Sequence, residues 1–470
     1  MKKKTRHCRL TVSVRLVVLG GILGWVPRSG ISQTAVNPTS MSRIGTIEER
    51  FQAYNVEMLE VTGGRFWKPY KDMQTAANKQ SAPQQSGSTP AGMNPNLYEY
   101  RRPIDLSNTR LRKLAAALGP TYVRVSGTWA NTTYFYETNG PAPTTPPEGF
   151  SGVLTRKQWK GVVDFSRAVN ARIITSFATS PGTRDTSGVW TPDQARQFLS
   201  YTKSVAGDIA AAEFMNEPTA ASMGGAPKGY DAAAYVRDIR VFRPFLKQTA
   251  PDIIFLGPGS VGEGGSLSLP PGSGFIQSED LLKATGPVFD IFSYHLYAAV
   301  SQRCASMGPT SQTTADRALS EEWLSGSDKI DAFYTRLRDR FEPGKPLWIT
   351  ETADAACGGN PWASTFLDTF RYLDSHARLA QQGVRVIAHN TLASSDYGLL
   401  DENTFAPRPN YWAALLWRKL MGTTVLKPGV SPPPSLHVYA QCLRNVPGGV
   451  ALLAINTDRN ALQKLEISAN

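Results

Sequence analysis

Short blocks of β-branched and aromatic residues alternate with longer stretches of helical periodicity along most of this chain. Most blocks are continuously apolar, which is typical of parallel strands buried on both faces. The predicted strands are Tyr54–Val61, Thr121–Ser126, Arg172–Phe177, Ala211–Met215, Asp252–Leu256, Phe289–Tyr294, Pro346–Thr350 and Val384–His389. The predicted helices are Leu111–Leu118, Thr191–Val205, Ala232–Gln248, Lys329–Phe341, Trp362–Gln382 and Tyr411–Leu420. This order predicts an α/β protein built on a parallel sheet.

The number of strands favours a closed (β/α)8 barrel, also called a TIM barrel, in which each strand is followed by a helix. An open doubly wound sheet shows the same alternation, but it usually opens with a Gly-rich dinucleotide-binding turn. The first turn here, Val61–Gly64, lacks that fingerprint. We therefore expect a barrel over residues 46–425. A low-complexity insert at about 72–96 should form a mobile loop after the first strand, acting either as a lid or as an inert surface loop.

A β-rich segment follows the barrel. Three short strands are predicted at Leu436–Leu443, Val450–Ile455 and Leu462–Ile467, after a proline-rich stretch. They indicate a small all-β, sandwich-like domain over residues 426–470. This length is short for a closed sandwich, so either N-terminal residues contribute strands or the domain is incomplete.

The N-terminus has the features of an export signal. Residues 1–32 combine a basic start, an apolar stretch at Leu16–Trp25 and small residues near position 30, the order of a secretory signal peptide. An uncleaved signal anchor is the alternative, because Pro27 and Arg28 blur the cleavage region. We expect a secreted or periplasmic protein that is monomeric.

The net charge of +12 is concentrated in this segment. Residues 1–32 carry seven basic residues and no acidic one, so removing them leaves +5 of that charge. Little then remains of a nucleic-acid footprint. No apolar run reaches the roughly 18 residues that a membrane span needs. We therefore expect no nucleic-acid partner and no membrane span.

Two glutamates stand at the ends of predicted strands. Glu217 follows the fourth strand within Phe214–Pro218, and Glu351 closes the seventh within Leu347–Thr352. The carboxyl ends of barrel strands form the mouth in which active sites lie. We expect the two side chains to face each other there, about 5–5.5 Å apart, as in retaining glycoside hydrolysis. A surface glutamate at a strand end is the alternative for either residue taken alone.

Further candidates follow the sixth and eighth strands. His295 and Tyr297 are two residues apart on a strand and therefore share a face, so both can reach Glu351 or a bound sugar. A histidine with only a structural role is the alternative for His295. Tyr397 and Asp396 follow the eighth strand and can line the mouth.

Taken in order, these residues resemble the heparanase/β-glucuronidase family, family 79 of the glycoside hydrolases in clan A. The resemblance runs from about Phe51 to Ile467. Its motifs are Tyr122–Thr128, Asn216–Pro218, Tyr294–Tyr297, Glu351–Thr352, Gly358–Gly359, Tyr397–Glu402 and Leu436–Tyr439. Asn-Glu-Pro alone is shared across the whole clan, whereas the ordered set is specific.

The resemblance implies a retaining β-glucuronidase that acts on glucuronate-containing glycans or glycosides, with no metal and no cofactor. It implies that Glu217 is the acid/base and Glu351 the nucleophile. Asn216 would contact the sugar 2-hydroxyl, while His295 and Tyr297 would orient Glu351 and the glycone, the sugar whose glycosidic bond is cleaved. Two other functions stay open: a clan A glycosidase on neutral sugars, such as a xylosidase, and a non-catalytic carbohydrate-binding barrel.

The resemblance also implies how the glucuronate carboxylate is bound. Backbone N–H groups of Gly358 and Gly359 and the hydroxyl of Tyr397 would donate to it. Glu57, at the tip of the first strand, is expected to contact a hydroxyl of the glycone. The insert at 72–96 has no counterpart in the family, and the family's C-terminal sandwich normally extends further than residue 470.

Three cysteines lie outside the export signal, at positions 304, 357 and 442. Their spacing fits no zinc motif. Cys304 follows strand six and Cys357 follows strand seven, so both belong to neighbouring loops at the mouth of the predicted barrel. We expect a disulfide between them that braces the glycine loop; two free thiols are the alternative.

Overall fold

The computed structural model describes residues 33–75, 89–265, 267, 274–307 and 312–468, and a closed barrel of eight parallel strands forms its centre. Strands one to eight of the barrel are Gln52–Asn55, Thr121–Val125, Ala171–Ser176, Ile209–Glu213, Ile254–Ser260, Ile291–Leu296, Leu347–Thr352 and Val386–His389. Each strand pairs with the next in sequence, and strand eight closes the ring by pairing with strand one. The predicted (β/α)8 barrel is confirmed.

Helices cover the outside of the barrel. The longer ones are Thr109–Ala117, Arg156–Ala168, Asp193–Ser204, Ala232–Thr249, Ser278–Thr285, Gly326–Phe341, Phe366–Gln382 and Pro409–Leu420, and shorter ones are Met58–Thr62, Tyr70–Thr75 and Glu321–Leu324. Arg156–Ala168 and Ser278–Thr285 were not predicted. The helix Arg156–Ala168 was missed because it is rich in charged residues and contains Gly161. Its start does carry a sequence signal, since Thr155 and Gln158 form a capping box.

The first strand is shorter than predicted. The prediction of a strand over Tyr54–Val61 is wrong, because the strand ends at Asn55 and Met58–Thr62 is a helix. The side chain of Glu60 accepts a hydrogen bond from the backbone N–H of Glu57 at 2.8 Å. This N-terminal cap stabilises the helical turn. The segment is therefore helical despite the strand preference of its apolar residues.

The predicted insert is partly ordered. Its first residues belong to the helix Tyr70–Thr75, and its last belong to a turn at Pro95–Leu97. The strand Tyr98–Arg101 follows and pairs antiparallel with Gly64–Trp67. The expectation of one continuous mobile loop is therefore wrong at both ends of the insert, and residues 76–88 lie outside the described part.

The β-rich appendage draws strands from both ends of the chain. Its four-stranded sheet has the order Val450–Asn456, Leu436–Leu443, Met421–Leu426 and Arg43–Thr46. A separate parallel pair joins Gln33–Val36 to Lys464–Ile467. Of the two predicted alternatives, N-terminal residues do contribute strands. The sheet begins at Met421, earlier than the predicted boundary at 426, because the last barrel helix leads straight into it.

The appendage is fastened to the barrel through a buried carboxylate. Asp374, on the helix Phe366–Gln382, accepts a hydrogen bond from the hydroxyl of Tyr439 at 2.6 Å. The Nδ1 atom of His437 lies 2.6 Å from the same oxygen, and Arg378 donates to the other oxygen at 2.7 Å. Since His437 and Tyr439 belong to the sheet, this cluster fixes the sheet on the barrel wall.

Residues 1–32, which carry the predicted export signal, lie outside the described residues. Among the helices that the structure describes, none has both the length and the apolar character needed to cross a bilayer.

Candidate active site

Glu217 and Glu351 lie at the same end of the barrel, with His295 between them. Glu217 follows strand four, and Glu351 is the last residue but one of strand seven. The Nδ1 atom of His295 is 2.9 Å from Oε1 of Glu217 and 3.7 Å from Oε2 of Glu351. One ligand atom from each of the three residues lies within 4.8 Å of the others. The two carboxylates therefore lie close together at the mouth of the barrel.

A pocket opens above this pair. Of the residues predicted from sequence, its lining includes Glu57, Asn216, Glu217, Tyr297, Glu351, Gly358 and Tyr397. His295 and Gly359 are outside that lining, and His295 is buried beneath the two carboxylates. The structure thus brings the predicted site residues together in and around one cavity.

Glu217 has an unusual backbone conformation. Its φ of 49° and ψ of 64° lie in the left-handed region, which residues other than glycine rarely adopt. The preceding residue, Asn216, is held on both sides by the buried Asn131. Its N–H donates to Oδ1 of Asn131 at 2.8 Å, and its carbonyl accepts from Nδ2 at 2.9 Å. Such strained conformations persist where the surroundings over-determine them, so Asn131 helps to hold Glu217 in one orientation.

A buried guanidinium underlies the site. Arg124, on strand two, donates to Oε2 of Glu351 at 2.9 Å and to Oε2 of Glu213 at 2.8 Å. It also donates to Oδ1 of Asn216 at 2.7 Å and lies 3.2 Å from Nε2 of His295. One cation therefore contacts the predicted nucleophile, a structural carboxylate, and two residues next to Glu217.

The charges of this cluster support one another. Burial by itself opposes ionisation of Glu213, but Arg124, His295 and the hydroxyl of Thr350 together more than offset it, and the pKa of Glu213 is lowered. Burial likewise opposes the charge on Arg124, yet Glu213 and Glu351 raise its pKa. Hydroxyls of Ser293 and Thr350 donate to the remaining oxygen of Glu213. The ion pair thus meets the requirement that buried charges be both paired and hydrogen-bonded.

Replacing Arg124 by Met is expected to destabilise the protein by roughly 3–5 kcal/mol, because it leaves two carboxylates buried without a cation. Urea denaturation followed by circular dichroism measures this change. Arg340→Met is the matched control: that side chain is 62% exposed and pairs with Glu279 at the surface, so its loss should cost at most about 1 kcal/mol. Equal effects of the two substitutions would contradict the structural role of Arg124.

Glu351 is held from its other side as well. The hydroxyl of Tyr297 donates to Oε1 of Glu351 at 2.6 Å, and Nδ2 of Asn390 donates to the same oxygen at 3.2 Å. With Arg124 on Oε2, both oxygens accept hydrogen bonds. These three donors fix the direction of the carboxylate.

Glu57 lies next to Glu351 in the pocket. Asn390 donates to its Oε1 at 3.1 Å, while Oε2 has no hydrogen-bond partner among the described residues. Burial, together with the charges of Glu351 and Glu60, raises the pKa of Glu57 well above its ordinary value. A β-carbon at Gly127 would overlap Oε2, so this position needs glycine. Glu57 therefore keeps one buried carboxylate oxygen without a hydrogen-bond partner among the described residues.

The glycine loop after strand seven reaches the pocket at Gly358. Both Gly358 and Gly359 have positive φ, and a β-carbon on Gly358 would clash with the ring of Trp67. A β-carbon on Gly359 would approach Tyr397 and Asp354 closely. Within the described part of the chain, the N–H groups of both glycines donate to no protein acceptor. The loop is thus packed tightly and keeps backbone donors unused.

A cluster behind this loop fixes its position. The hydroxyl of Tyr70 donates to the carbonyl of Gly359 at 3.1 Å and accepts from the N–H of Arg303 at 3.3 Å. The side chain of Arg303 pairs with Asp396 at 2.6 Å and lies over the ring of Tyr70. Asp396, predicted to line the mouth, therefore supports the loop instead. Three separate loops meet in this cluster.

Cys304 and Cys357 are neighbours, but the structure holds both as free thiols. A hydrogen bond to Cys304 and burial raise the pKa of the Cys357 thiol well above its ordinary value. A thiol in that state is a poor nucleophile, because thiolates carry out disulfide exchange. The contact supplies the proximity that a disulfide requires, and the disulfide itself stays a prediction.

Glu217, His295 and Glu351 are also the residues best placed to hold a metal ion, since their ligand atoms cluster within 4.8 Å. Arg124 already places a positive charge 2.9 Å from Glu351 and contacts the other nitrogen of His295. A second cation beside this guanidinium would be repelled. The donor set therefore fits an acid–base pair better than a metal site.

Several residues of the site were not assigned roles from sequence. Arg124 interrupts an otherwise apolar strand, and a charge in a buried strand is a usable signal. Asn390 directly follows strand eight, the same kind of position that identified Glu217. Asn131, Tyr70 and Arg303 come from loops and carry no local signal, because their roles depend on contacts with distant segments.

The closed barrel and the paired carboxylates at its mouth define the class: a (β/α)8 barrel with the site layout of a retaining glycosidase. Residues 102–377 match the family model described as glycosyl hydrolase family 79, N-terminal domain. The match covers more than half of the chain. The protein belongs to glycosyl hydrolase family 79.

Individual relatives agree with this assignment. Heparanase-like protein 1 of Arabidopsis thaliana is 28% identical over 371 residues, which are 75% of this chain and 65% of that protein. A hyaluronoglucuronidase of Hirudo nipponia is 24% identical over 373 residues, 73% of this chain and 71% of that one. A family 51 α-L-arabinofuranosidase from Bifidobacterium longum superposes with a TM-score of 0.61 and 15% identity, over 93% of this chain and 88% of that chain, a likeness of fold. The chain thus spans slightly less than two thirds of the plant relative.

Proposed function

We propose that this protein is a retaining β-glucuronidase that acts on glucuronate-containing glycans or glycosides. The observation that carries the proposal is the approach of Glu217 and Glu351, whose ligand atoms lie within 4.8 Å of each other. Retaining glycosidases hold their carboxyl groups about 5–5.5 Å apart, whereas inverting enzymes need about 6.5–9.5 Å to admit a water. The short gap supports direct attack by one carboxylate on the sugar.

In the first step Glu351 attacks the anomeric carbon while Glu217 protonates the departing oxygen. Arg124, Tyr297 and Asn390 hold Glu351 in one orientation, since they donate to both its oxygens. The bond between the anomeric carbon and the leaving oxygen breaks as the ester to Glu351 forms. In the second step Glu217, now ionised, takes a proton from water, which attacks the same carbon and releases Glu351.

The preference for glucuronate rests on the glycine loop. The unused N–H of Gly358 and the hydroxyl of Tyr397 border the pocket, and backbone donors can bind a carboxylate without an arginine. Glu57 lines the same pocket and is the candidate to contact a hydroxyl of the glycone. The relative from Hirudo nipponia is called a hyaluronoglucuronidase, which also supports a glucuronide as the substrate.

Incubation with an activated 2-fluoro-glucuronide, followed by peptide mass spectrometry, tests the proposal. The fluorine slows release of the intermediate, so label should accumulate on the peptide that contains Glu351. An aryl β-glucuronide should be hydrolysed and the corresponding aryl β-xyloside should not. Label on another peptide, or faster cleavage of the xyloside, would reject the assignment of nucleophile or of glycone.

The cluster behind the glycine loop gives a separate prediction. Tyr70→Phe removes the hydroxyl that donates to Gly359, a hydrogen bond worth about 1 kcal/mol. The KM for an aryl β-glucuronide should rise about five-fold with kcat nearly unchanged, because the loop binds the carboxylate but takes no part in bond cleavage. Tyr100→Phe, at a ring that is 59% exposed, should change neither constant. A fall in kcat with constant KM would contradict this role.

We further propose that the protein is exported through the signal in residues 1–32 and acts as a monomer. The basic start and apolar stretch of that segment support export. N-terminal sequencing of the protein recovered from outside the cytoplasm tests it: a mature N-terminus near residue 33 is expected, and a chain retained with an intact Met1 would reject the proposal.

A further inference from the structure

The pocket has two chemically different halves. Polar side chains surround Glu351 on one side, among them Glu57, Tyr297 and Asn390. The opposite side is apolar, and its lining residues include Met93, Trp129, Ala220, Met223, Val261 and Phe275. We refer to these six residues as the apolar wall. The apolar wall offers no side-chain hydrogen-bond partners to sugar hydroxyls at its aliphatic positions, whereas the first half offers several.

The apolar wall belongs to the Glu217 side of the pocket. Ala220 and Met223 follow Glu217 in the same loop, and the N–H of Ala220 donates to the carbonyl of Glu217 at 2.9 Å. The end of the insert that carries Met93 is attached to this loop, because the N–H of Ala91 donates to the carbonyl of Met223 at 3.2 Å.

Thr219 joins the rest of the wall to the same loop. Its hydroxyl donates to the carbonyl of Val261 at 2.9 Å and accepts from the N–H of Val261 at 3.0 Å. Its carbonyl accepts from the N–H of Ile276 at 2.9 Å, which places Phe275 beside it. Apart from Trp129, which packs on Phe66 and Tyr98, the wall is therefore held by hydrogen bonds to the loop that carries the predicted acid.

The direction of the reaction determines what occupies this half. Glu351 attacks one face of the anomeric carbon, and the leaving oxygen departs on the opposite face beside Glu217. The group attached to that oxygen, the aglycone, must therefore lie against the apolar wall. We propose that this wall is an aglycone site that selects large, flat apolar groups, so that the preferred substrates are β-glucuronides of aromatic alcohols. This inference rests on the proposed function and names its substrate class.

The charges of the pocket favour the same substrates over an acidic polymer. Among the described residues that line it, none is Lys or Arg, and the acidic residues are Glu57, Glu217 and Glu351. A sulfate or a second carboxylate on the leaving group would lose its hydration against apolar side chains and meet three acidic residues. An uncharged aromatic ring avoids both costs and buries apolar surface.

Phenyl and 2-naphthyl β-glucuronides test the proposal, since their leaving groups have similar acidity but differ in apolar area. The naphthyl compound should have a kcat/KM about ten-fold higher. A sulfated oligosaccharide ending in glucuronate should be cleaved more slowly than either. Phe275→Ala and Met223→Ala should reduce the naphthyl preference to near unity. Trp412→Ala, at an exposed ring outside the pocket, should leave the preference intact.

Free 2-naphthol should inhibit the unmodified protein more strongly than phenol, a measurement that needs no variant to fold. Equal kcat/KM for the two aryl substrates with equal inhibition by the two alcohols would overturn the aglycone site, and so would faster cleavage of the sulfated oligosaccharide. Failure to hydrolyse any β-glucuronide would instead reject the proposed function, so the two failures are distinguishable.

Discussion

Glu351→Gln is expected to lower kcat/KM for an aryl β-glucuronide by at least roughly 10⁴-fold, the scale seen when a nucleophile is removed from an enzyme. The amide has nearly the same shape, but it cannot form the ester intermediate. The NH₂ group of the glutamine would also face either Arg124 or Tyr297, each of which now donates to an oxygen of Glu351. One of these two hydrogen bonds would therefore be lost. Steady-state kinetics measures the loss, and no label should transfer from the 2-fluoro-glucuronide. Binding of glucuronate, followed by calorimetry, should persist.

Glu322→Gln is a suitable control for this experiment. Glu322 is 70% exposed and pairs with Arg317 at the surface, so kinetics and melting temperature should match those of the parent. Comparable melting temperatures for both variants would show that the loss in Glu351→Gln is chemical. Activity of Glu351→Gln within ten-fold of the parent would remove Glu351 from the mechanism.

Glu217→Ala should show a loss that depends on the leaving group. For a glucuronide of an unactivated alcohol, kcat is expected to fall by about 10²–10⁴-fold, the range for loss of a general acid. A dinitrophenyl leaving group needs no proton, so attachment to Glu351 should proceed and the ester should accumulate. Azide should then enter the vacated space, attack the ester and restore turnover, giving β-glucuronyl azide. Rates with and without azide, and the anomeric configuration of the product by NMR, measure this.

Glu137→Ala provides the comparison, since Glu137 is an exposed carboxylate outside the lining of the pocket, and neither the rates nor the response to azide should change. A uniform loss for both leaving groups, with no effect of azide on Glu217→Ala, would show that Glu217 acts in substrate binding and is not the acid.

The barrel was predictable because its strands are long apolar runs whose ends carry lone polar residues. Glu217 and Glu351 were found by that rule, and the structure brings them together. Glu57 was placed at the tip of strand one although the strand ends sooner, because the capped turn that follows leaves Glu57 at the same rim. An error of a few residues in the predicted end of a strand can therefore leave the predicted position of a residue at the rim unchanged.

What could not be predicted depends on contacts between distant segments. Arg124 lies in the motif Tyr122–Thr128, but only the closed barrel shows that its side chain reaches Glu213 and Glu351. The Tyr70–Arg303–Asp396 cluster joins three loops, and none of the three has a local pattern that indicates a partner. Asn131 acts on the main chain of Asn216, and sequence patterns rarely reveal side chains that bind backbone groups.

The sheet beside the barrel couples the first and last parts of the chain in time as well as in space. Thr46 pairs with Thr424, which the ribosome adds 378 residues later. The strand Gln33–Val36 likewise pairs with Lys464–Ile467, which is synthesised later still. During synthesis the early strands must therefore stay unpaired until Met421–Leu426 and Lys464–Ile467 have been made, with open edges that favour association with other chains. Slow elongation or premature termination would leave Gln33–Val36 and Arg43–Thr46 without their partner strands. The yield of folded protein should therefore depend on chaperones that bind nascent chains.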